Sequence, residues 1–283
     1  MKKILCPTDF SATANKALEY AVYIARKTGG HLSLLHVVHL PIVDTSETAL
    51  VASELLGEQI RDAGDRLKAM VMQVEEKYGA NRGGSFTCDY ILKESLLTDI
   101  TEHLTKNEGY DLVVMGTTGS GNALEELLIG SNTEAVVEEV KCKLLAVPAH
   151  ASAPDFCKII YATDYTPEDI TALQEVIPFA NLFDAKVDLV HVAKDENSDD
   201  KDRADQFWNQ LKQAFPDAPL HMQVVINKRQ DEGLKEYYKQ ENACLLAILR
   251  REKGFFAELF SQRLADRLTY QAEVPLLILH QKK

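Results

Sequence analysis

Residues 3–11 read KILCPTDFS, and residues 158–166 read KIIYATDYT. A short apolar run, a small residue, Thr-Asp, an aromatic residue and a hydroxyl residue recur in the same order. The register persists beyond the motif: Asp9 to Asp164 and His36 to His191 are each displaced by 155 positions, the second pair inside LSLLHVV (32–38) and VDLVHVA (187–193). Near the end of each copy, KLLAVP (143–148) corresponds to PLLILH (275–280) at a displacement of 132, so the second copy is shorter by about 23 residues. The chain is a tandem repeat.

Between the copies lies PAHASAPDFC (148–157), which has no apolar periodicity, so the expected domains are 1–151 and 152–283. In the first copy, strands are expected near 2–7, 31–38, 84–92, 111–116 and 143–148. A helix is expected from Ser11, an N-cap residue, with Ala14, Leu18, Ala21, Val22 and Ala25 on one face and Gly29 at its end; others fit 50–78, 95–106 and 132–140. The second copy repeats the pattern with strands near 158–163, 185–193, 220–227, 244–249 and 275–279. Strands alternating with amphipathic helices predict an α/β fold: two tandem Rossmann-like domains, each a five-stranded parallel sheet with helices on both faces.

At 283 residues the chain has room for two cores, and 46% hydrophobic with 26% charged residues is a globular balance. No apolar run is long enough to span a bilayer, and the N-terminal apolar stretch is too short for a signal peptide, so a cytoplasmic chain without membrane contact is expected. Net charge of −12 opposes binding to nucleic acid. The five cysteines, Cys6, Cys88, Cys142, Cys157 and Cys244, include no CxxC pair and suggest neither a disulfide framework nor a metal site.

Ligands of open parallel sheets sit beyond the carboxyl ends of the strands. Three signals fall there in the first copy. Asp9 in CPTDF offers a carboxylate to a ribose hydroxyl or a base amino group, or caps the first helix. Val37 ends the second strand and offers backbone groups to a base edge. After the fourth strand, LVVMGTTGSGNALEELLIGSNTE (112–134) supplies Gly116, Gly119 and Gly130, then Ser131, Asn132 and Thr133 at a helix start, where open amides favour a phosphate chain. It is neither a Walker loop, lacking GK[ST], nor a dinucleotide fingerprint, which would follow the first strand.

These motifs resemble the nucleotide-binding branch of the universal stress protein family, whose pattern is G, two residues, G, nine residues, then G with Ser or Thr. ILCPTDFS, LLHVV and GSNTEAV each match, and the likeness spans both copies. The resemblance implies an adenine nucleotide hydrolase-like fold and ATP, or ADP or AMP, as ligand, with Mg²⁺ as its companion. It places Pro7, Thr8, Asp9 and Val37 on adenine and ribose, and Met115, Gly116, Gly119, Gly130, Ser131, Asn132 and Thr133 around ribose and phosphates. It further implies antiparallel pairing of the two final strands within the chain, and a homodimer. Ten residues, Ser120–Ile129, separate Gly119 from Gly130, one more than the pattern.

The second copy departs further. Its loop LRREKGFFAELFSQRLAD (249–266) keeps Gly254 but sets Phe255 and Phe256 where bare backbone is expected, so no triphosphate site is expected there. Arg250, Arg251 and Lys253 form a solvated charged loop or attract a smaller anion. His36 and His191 read as core or ladder residues, Glu125 and Glu126 as a solvated helix face or a water-mediated Mg²⁺ site, and residues 44–60 as a helix opening or a lid. With no GxSxG, HExxH or Cys–His arrangement, the expected role is a stress-response sensor or regulator that binds rather than turns over its ligand. The alternative is a nucleotide-free scaffold for protein partners.

Overall fold

The computed structural model describes residues 2–38, 46–81, 83, 86–117, 131–195, 198–251 and 274–281. The first copy contributes β1 (Lys3–Pro7), α1 (Ala12–Thr28), β2 (His31–Val38), α2 (Ser46–Tyr78), β3 (Thr87–Glu94), α3 (Leu97–Asn107), β4 (Leu112–Gly116), α4 (Ser131–Glu139) and β5 (Lys143–Val147). The second contributes β6 (Lys158–Ala162), α5 (Pro167–Leu182), β7 (Lys186–Ala193), α6 (Ser198–Ala214), β8 (Leu220–Ile226), α7 (Gln230–Gln240), β9 (Leu245–Arg250) and β10 (Leu276–His280).

The ten strands among the described residues share one sheet, in the order β3-β2-β1-β4-β5-β10-β9-β6-β7-β8. Each half is parallel and mirrors the other about the middle, where β10 runs antiparallel to β5 with Leu276 opposite Ala146 and Ile278 opposite Leu144. This pairing removes two open edges at once. Inside the edge strands β3 and β8 the strands are buried on both faces, as parallel sheets require, so Ile4 and Cys6 enter one core while Leu5 enters the other. The first core lies under α1, α2, α5 and α6, the second under α3, α4 and α7.

Local sequence sets the ends of the first helix. The Ser11 hydroxyl accepts the Ala14 N–H at 3.1 Å, and Gly29, at φ 64°, closes the helix with its N–H on the Ala25 carbonyl. The expected face is buried at Ala14, Ala21, Val22 and Ala25. β3 begins at Thr87, later than the apolar pattern suggests, and runs to Glu94, because it pairs along all of β2 from His31 to Val38. The segment between the copies is packed. Phe156 is fully buried, its ring 4.8 Å from that of Phe183 and 5.8 Å from that of Tyr20, while the Tyr20 hydroxyl donates to the Ser152 carbonyl at 3.2 Å. No described helix is long and apolar enough to cross a membrane.

Candidate functional site

In the first half, β1 is flanked by β2 and β4, so the strand order reverses beside it and a crevice opens at its carboxyl end. Pro7, Thr8 and Asp9 leave β1 there. Thr8 is pinned by its own N–H to the Leu35 carbonyl at 2.8 Å, and its hydroxyl accepts the Phe10 N–H at 3.0 Å. Phe10 takes a left-handed conformation at φ 66°, uncommon for a non-glycine residue, which turns the chain sharply into α1. Asp9 is exposed, and its carboxylate accepts the Ser11 N–H at 3.0 Å. Ser11 is the helix cap, and the Asp9 carboxylate holds the N–H of that cap residue, so Asp9 also belongs to the turn that starts α1.

Val37, half-buried, is the next-to-last residue of β2, which ends at Val38 on one side of the crevice; Met115, buried, and Gly116 end β4 on the other. A Cβ on Gly116 would lie 2.7 Å from Cγ2 of Thr13 and 3.1 Å from its backbone. The bare backbone of Gly116 therefore serves the close approach of α1 to β4, a packing reason that the sequence alone does not reveal. α4 starts on the same strand end: the buried Thr133 hydroxyl donates to the Gly116 carbonyl at 2.8 Å. That bond anchors the start of the helix at the switch point, and Asn132 beside it is exposed. Gly119 and Gly130, Glu125 and Glu126, and the Ser131 side chain lie outside the described residues. The donor set that is described, a helix start on one side and an exposed carboxylate on the other, fits a ligand carrying phosphate and hydroxyl groups.

The family model described as the universal stress protein family matches residues 1–148 and again residues 156–280. The chain belongs to the universal stress protein family. Universal stress protein MJ0531 of Methanocaldococcus jannaschii is 30% identical over 147 residues, 52% of this chain and 81% of that relative. Universal stress protein Slr1230 of Synechocystis is 23% identical over 262 residues, 88% of this chain and 89% of its own length. The crystal structure of a universal stress protein from Archaeoglobus fulgidus shares the fold at a TM-score of 0.68 and 17% identity, covering 99% of this chain and 97% of that one.

This universal stress protein carries a different arrangement in its second half. Asp169 stands 155 positions after Ala14, is fully buried, and collects the hydroxyls of Tyr161 at 2.7 Å and Thr163 at 2.9 Å and the Thr166 N–H at 3.1 Å. The Arg251 guanidinium closes this network, bonded to Asp169 and 4.0 Å from Asp164. Arg203 holds the Asp164 carbonyl at 2.9 Å. Burial raises the Asp164 carboxyl above the usual range, although His191 and Arg251 pull it the other way. Where Asp9 faces solvent, Asp164 is turned into the protein.

Arg251 thus corrects the reading of 249–266 as a solvated loop at this position, its side chain being only 8% exposed. Arg250 is also engaged, donating to the Val137 and Glu138 carbonyls at 3.1 and 3.3 Å at the end of α4. Lys253, Gly254, Phe255, Phe256 and the remainder of that loop lie outside the described residues. Sequence reasoning passed over Asp169, although Thr166 and Asp169 stand at capping-box spacing and its apolar counterpart Ala14 marks the exchange. It also undervalued the two histidines. His36 Nδ1 lies 2.7 Å from the Thr8 carbonyl and His191 Nδ1 2.8 Å from that of Thr163, so both hold the site turn. Cys6 is inert toward this site: burial first, then Cys88, pushes its thiol far above the ordinary range.

Proposed function

We propose that the first domain, residues 1–151, binds ATP, or the related ADP or AMP, at the β1/β4 switch point, and that the chain acts as a cytoplasmic stress-response sensor and regulator. The observation that carries this reading is the Thr133–Gly116 bond, which seats the start of α4 at the end of β4 in the crevice that Asp9 borders. Pro7, Thr8, Asp9 and Val37 would hold base and ribose. Met115, Gly116 and the 130–133 segment, with Gly119, would surround the phosphates, with Mg²⁺ accompanying them.

Residues 152–283 form the second domain, a partner whose own site is closed by Arg251. Binding to the native state alone stabilises it by mass action and so couples nucleotide level to the population of the loaded form. Among the described residues the crevice holds no nucleophile with an arranged base, which favours a binding role over a catalytic one. A homodimer and protein partners that read the loaded state complete the proposal.

The test is native mass spectrometry of the full chain purified from cells without added nucleotide, followed by calorimetry with ATP. The expected result is one adenine nucleotide per chain, released on denaturation, and an affinity that Asp9→Ala weakens by about tenfold. A chain that carries no nucleotide and takes up none overturns the reading in favour of a nucleotide-free scaffold.

A further inference from the structure

At the opposite rim of the sheet, the amino end, two cysteines far apart in the chain come together. Cys157 immediately precedes β6 and Cys244 immediately precedes β9; these strands are neighbours, and the Cys244 N–H donates to the Lys158 carbonyl at 2.9 Å. Their sulfurs lie 2.7 Å apart across 87 residues of sequence. Asp155 adds a carboxylate, and one of its oxygens and the two sulfurs all lie within 4.8 Å of one another, so the three ligand atoms form one compact set. The carboxylate is oriented by the chain itself, since Asp155 Oδ1 accepts the Cys157 N–H at 3.1 Å.

We propose that Asp155, Cys157 and Cys244 form a binding site for a thiophilic divalent cation of the Zn²⁺ class, with two thiolates, one carboxylate and a fourth position open to water. The chemistry of the set favours this occupant. Two thiolates and a carboxylate are the donors that zinc takes in tetrahedral geometry. Binding breaks two S–H bonds, forms two S–Zn bonds and releases the two thiol protons to solvent. In a tetrahedral site with bonds of about 2.3 Å, sulfurs sit about 3.8 Å apart. The thiols must therefore separate by about an ångström, which the exposed Cys157 side chain permits.

The nearest lysine in sequence, Lys158, is occupied elsewhere, paired with Glu241 and, at 3.2 Å, with Asp188. The site sits where the packed segment between the copies meets the second sheet half, beside Phe156. A bound ion would fasten that segment to β9.

The experiment uses the full chain, reduced and freed of metal, titrated with Co²⁺ and then with Zn²⁺. The expected result is one ion per chain, a near-ultraviolet sulfur-to-cobalt charge-transfer band, its disappearance on adding Zn²⁺, and release of protons. Cys157→Ser and Cys244→Ser each lose the band, Cys142→Ser keeps it, and Asp155→Asn keeps the band but binds about tenfold more weakly. In the unmodified chain, Zn²⁺ shields these two cysteines from alkylation, a readout that needs no variant. Absence of uptake, uptake that survives both serine substitutions, or an unchanged affinity in Asp155→Asn overturns the proposal. So does a chain that, prepared with zinc and without reductant, holds the pair as a disulfide, two hydrogens lighter and metal-free. None of these outcomes bears on the nucleotide reading.

Discussion

The His36 imidazole and the Thr8 carbonyl meet at 2.7 Å, the ring nitrogen donating as the Nδ1–H tautomer, and the Phe10 ring lies 4.5 Å from that imidazole. A histidine on β2 therefore fixes the turn that leaves β1, and with it the position of Asp9. The second half repeats the contact between His191 and Thr163 with Tyr165 against the ring at 4.4 Å, although its site is closed. The contact belongs to the framework of the turn and persists whether or not a ligand site is kept.

Replacing His36 with Leu is expected to leave the Thr8 carbonyl without this donor and to cost about 1–3 kcal/mol of stability. Nucleotide affinity should fall further than stability explains, because Asp9 loses its fixed direction. Urea unfolding and calorimetry on the same variant separate the two effects. Equal affinity in His36→Leu would remove the positioning role.

Much of the architecture was legible because the repeat keeps register: a displacement shared by Asp9/Asp164 and His36/His191 can hardly arise without a shared strand–turn–helix frame. The Ser11 and Gly29 boundaries of α1 followed from capping chemistry. What stayed hidden depends on contacts between distant segments. Gly116 reads as a phosphate glycine until Thr13 is seen against it, Arg251 reads as solvated until Asp169 is found opposite, and Cys157 and Cys244 read as isolated until β6 and β9 prove adjacent. Spacing along a chain carries no information about which strand lies next to which.

Gly116→Ala places a methyl group 2.7 Å from Cγ2 of Thr13 and 3.1 Å from its backbone. A cost of about 1–3 kcal/mol is expected from the forced shift of α1. Thr13→Ala relieves the nearest contact but not the backbone one, so the double variant should recover part of the loss. Thermal unfolding of the four chains in this cycle measures the coupling, and strictly additive losses would show that the helix had moved aside freely.

Arg251→Ala removes the cation from Asp169, a carboxylate with no exposure. Leaving one member of such a pair buried alone costs about 3–5 kcal/mol. The cavity so opened is lined by Asp164 and Asp169 and repels phosphates, so the variant should gain no nucleotide binding in the second half. Asp169→Ala, which restores the residue type found at Ala14, should lessen the penalty when combined with Arg251→Ala. An arginine that could be removed without loss of stability would mean that the network stands on the hydroxyls of Tyr161 and Thr163 alone.

His280 sets a dependence on acid. It ends β10, its Nε2 is buried with no partner among the described residues, and burial, followed by the nearby Arg250 and Lys141, lowers it from 6.5 to about 4, against a smaller opposing pull from Glu175. The folded chain thus holds the imidazole neutral where the unfolded chain would protonate it. Its contribution is fully present above pH 6.5 and is lost as pH falls from there toward 4, up to about 3 kcal/mol. Asp164, raised by burial, works in the opposite sense, losing its contribution as pH rises, so the histidine must be isolated by difference. Urea unfolding at pH 7 and pH 4.5 of the natural chain and of His280→Leu supplies that difference. The natural chain should lose about 2–3 kcal/mol more than the variant over this interval; parallel losses would assign the acid sensitivity to carboxylates held low in the folded chain, such as Glu168 and Glu241.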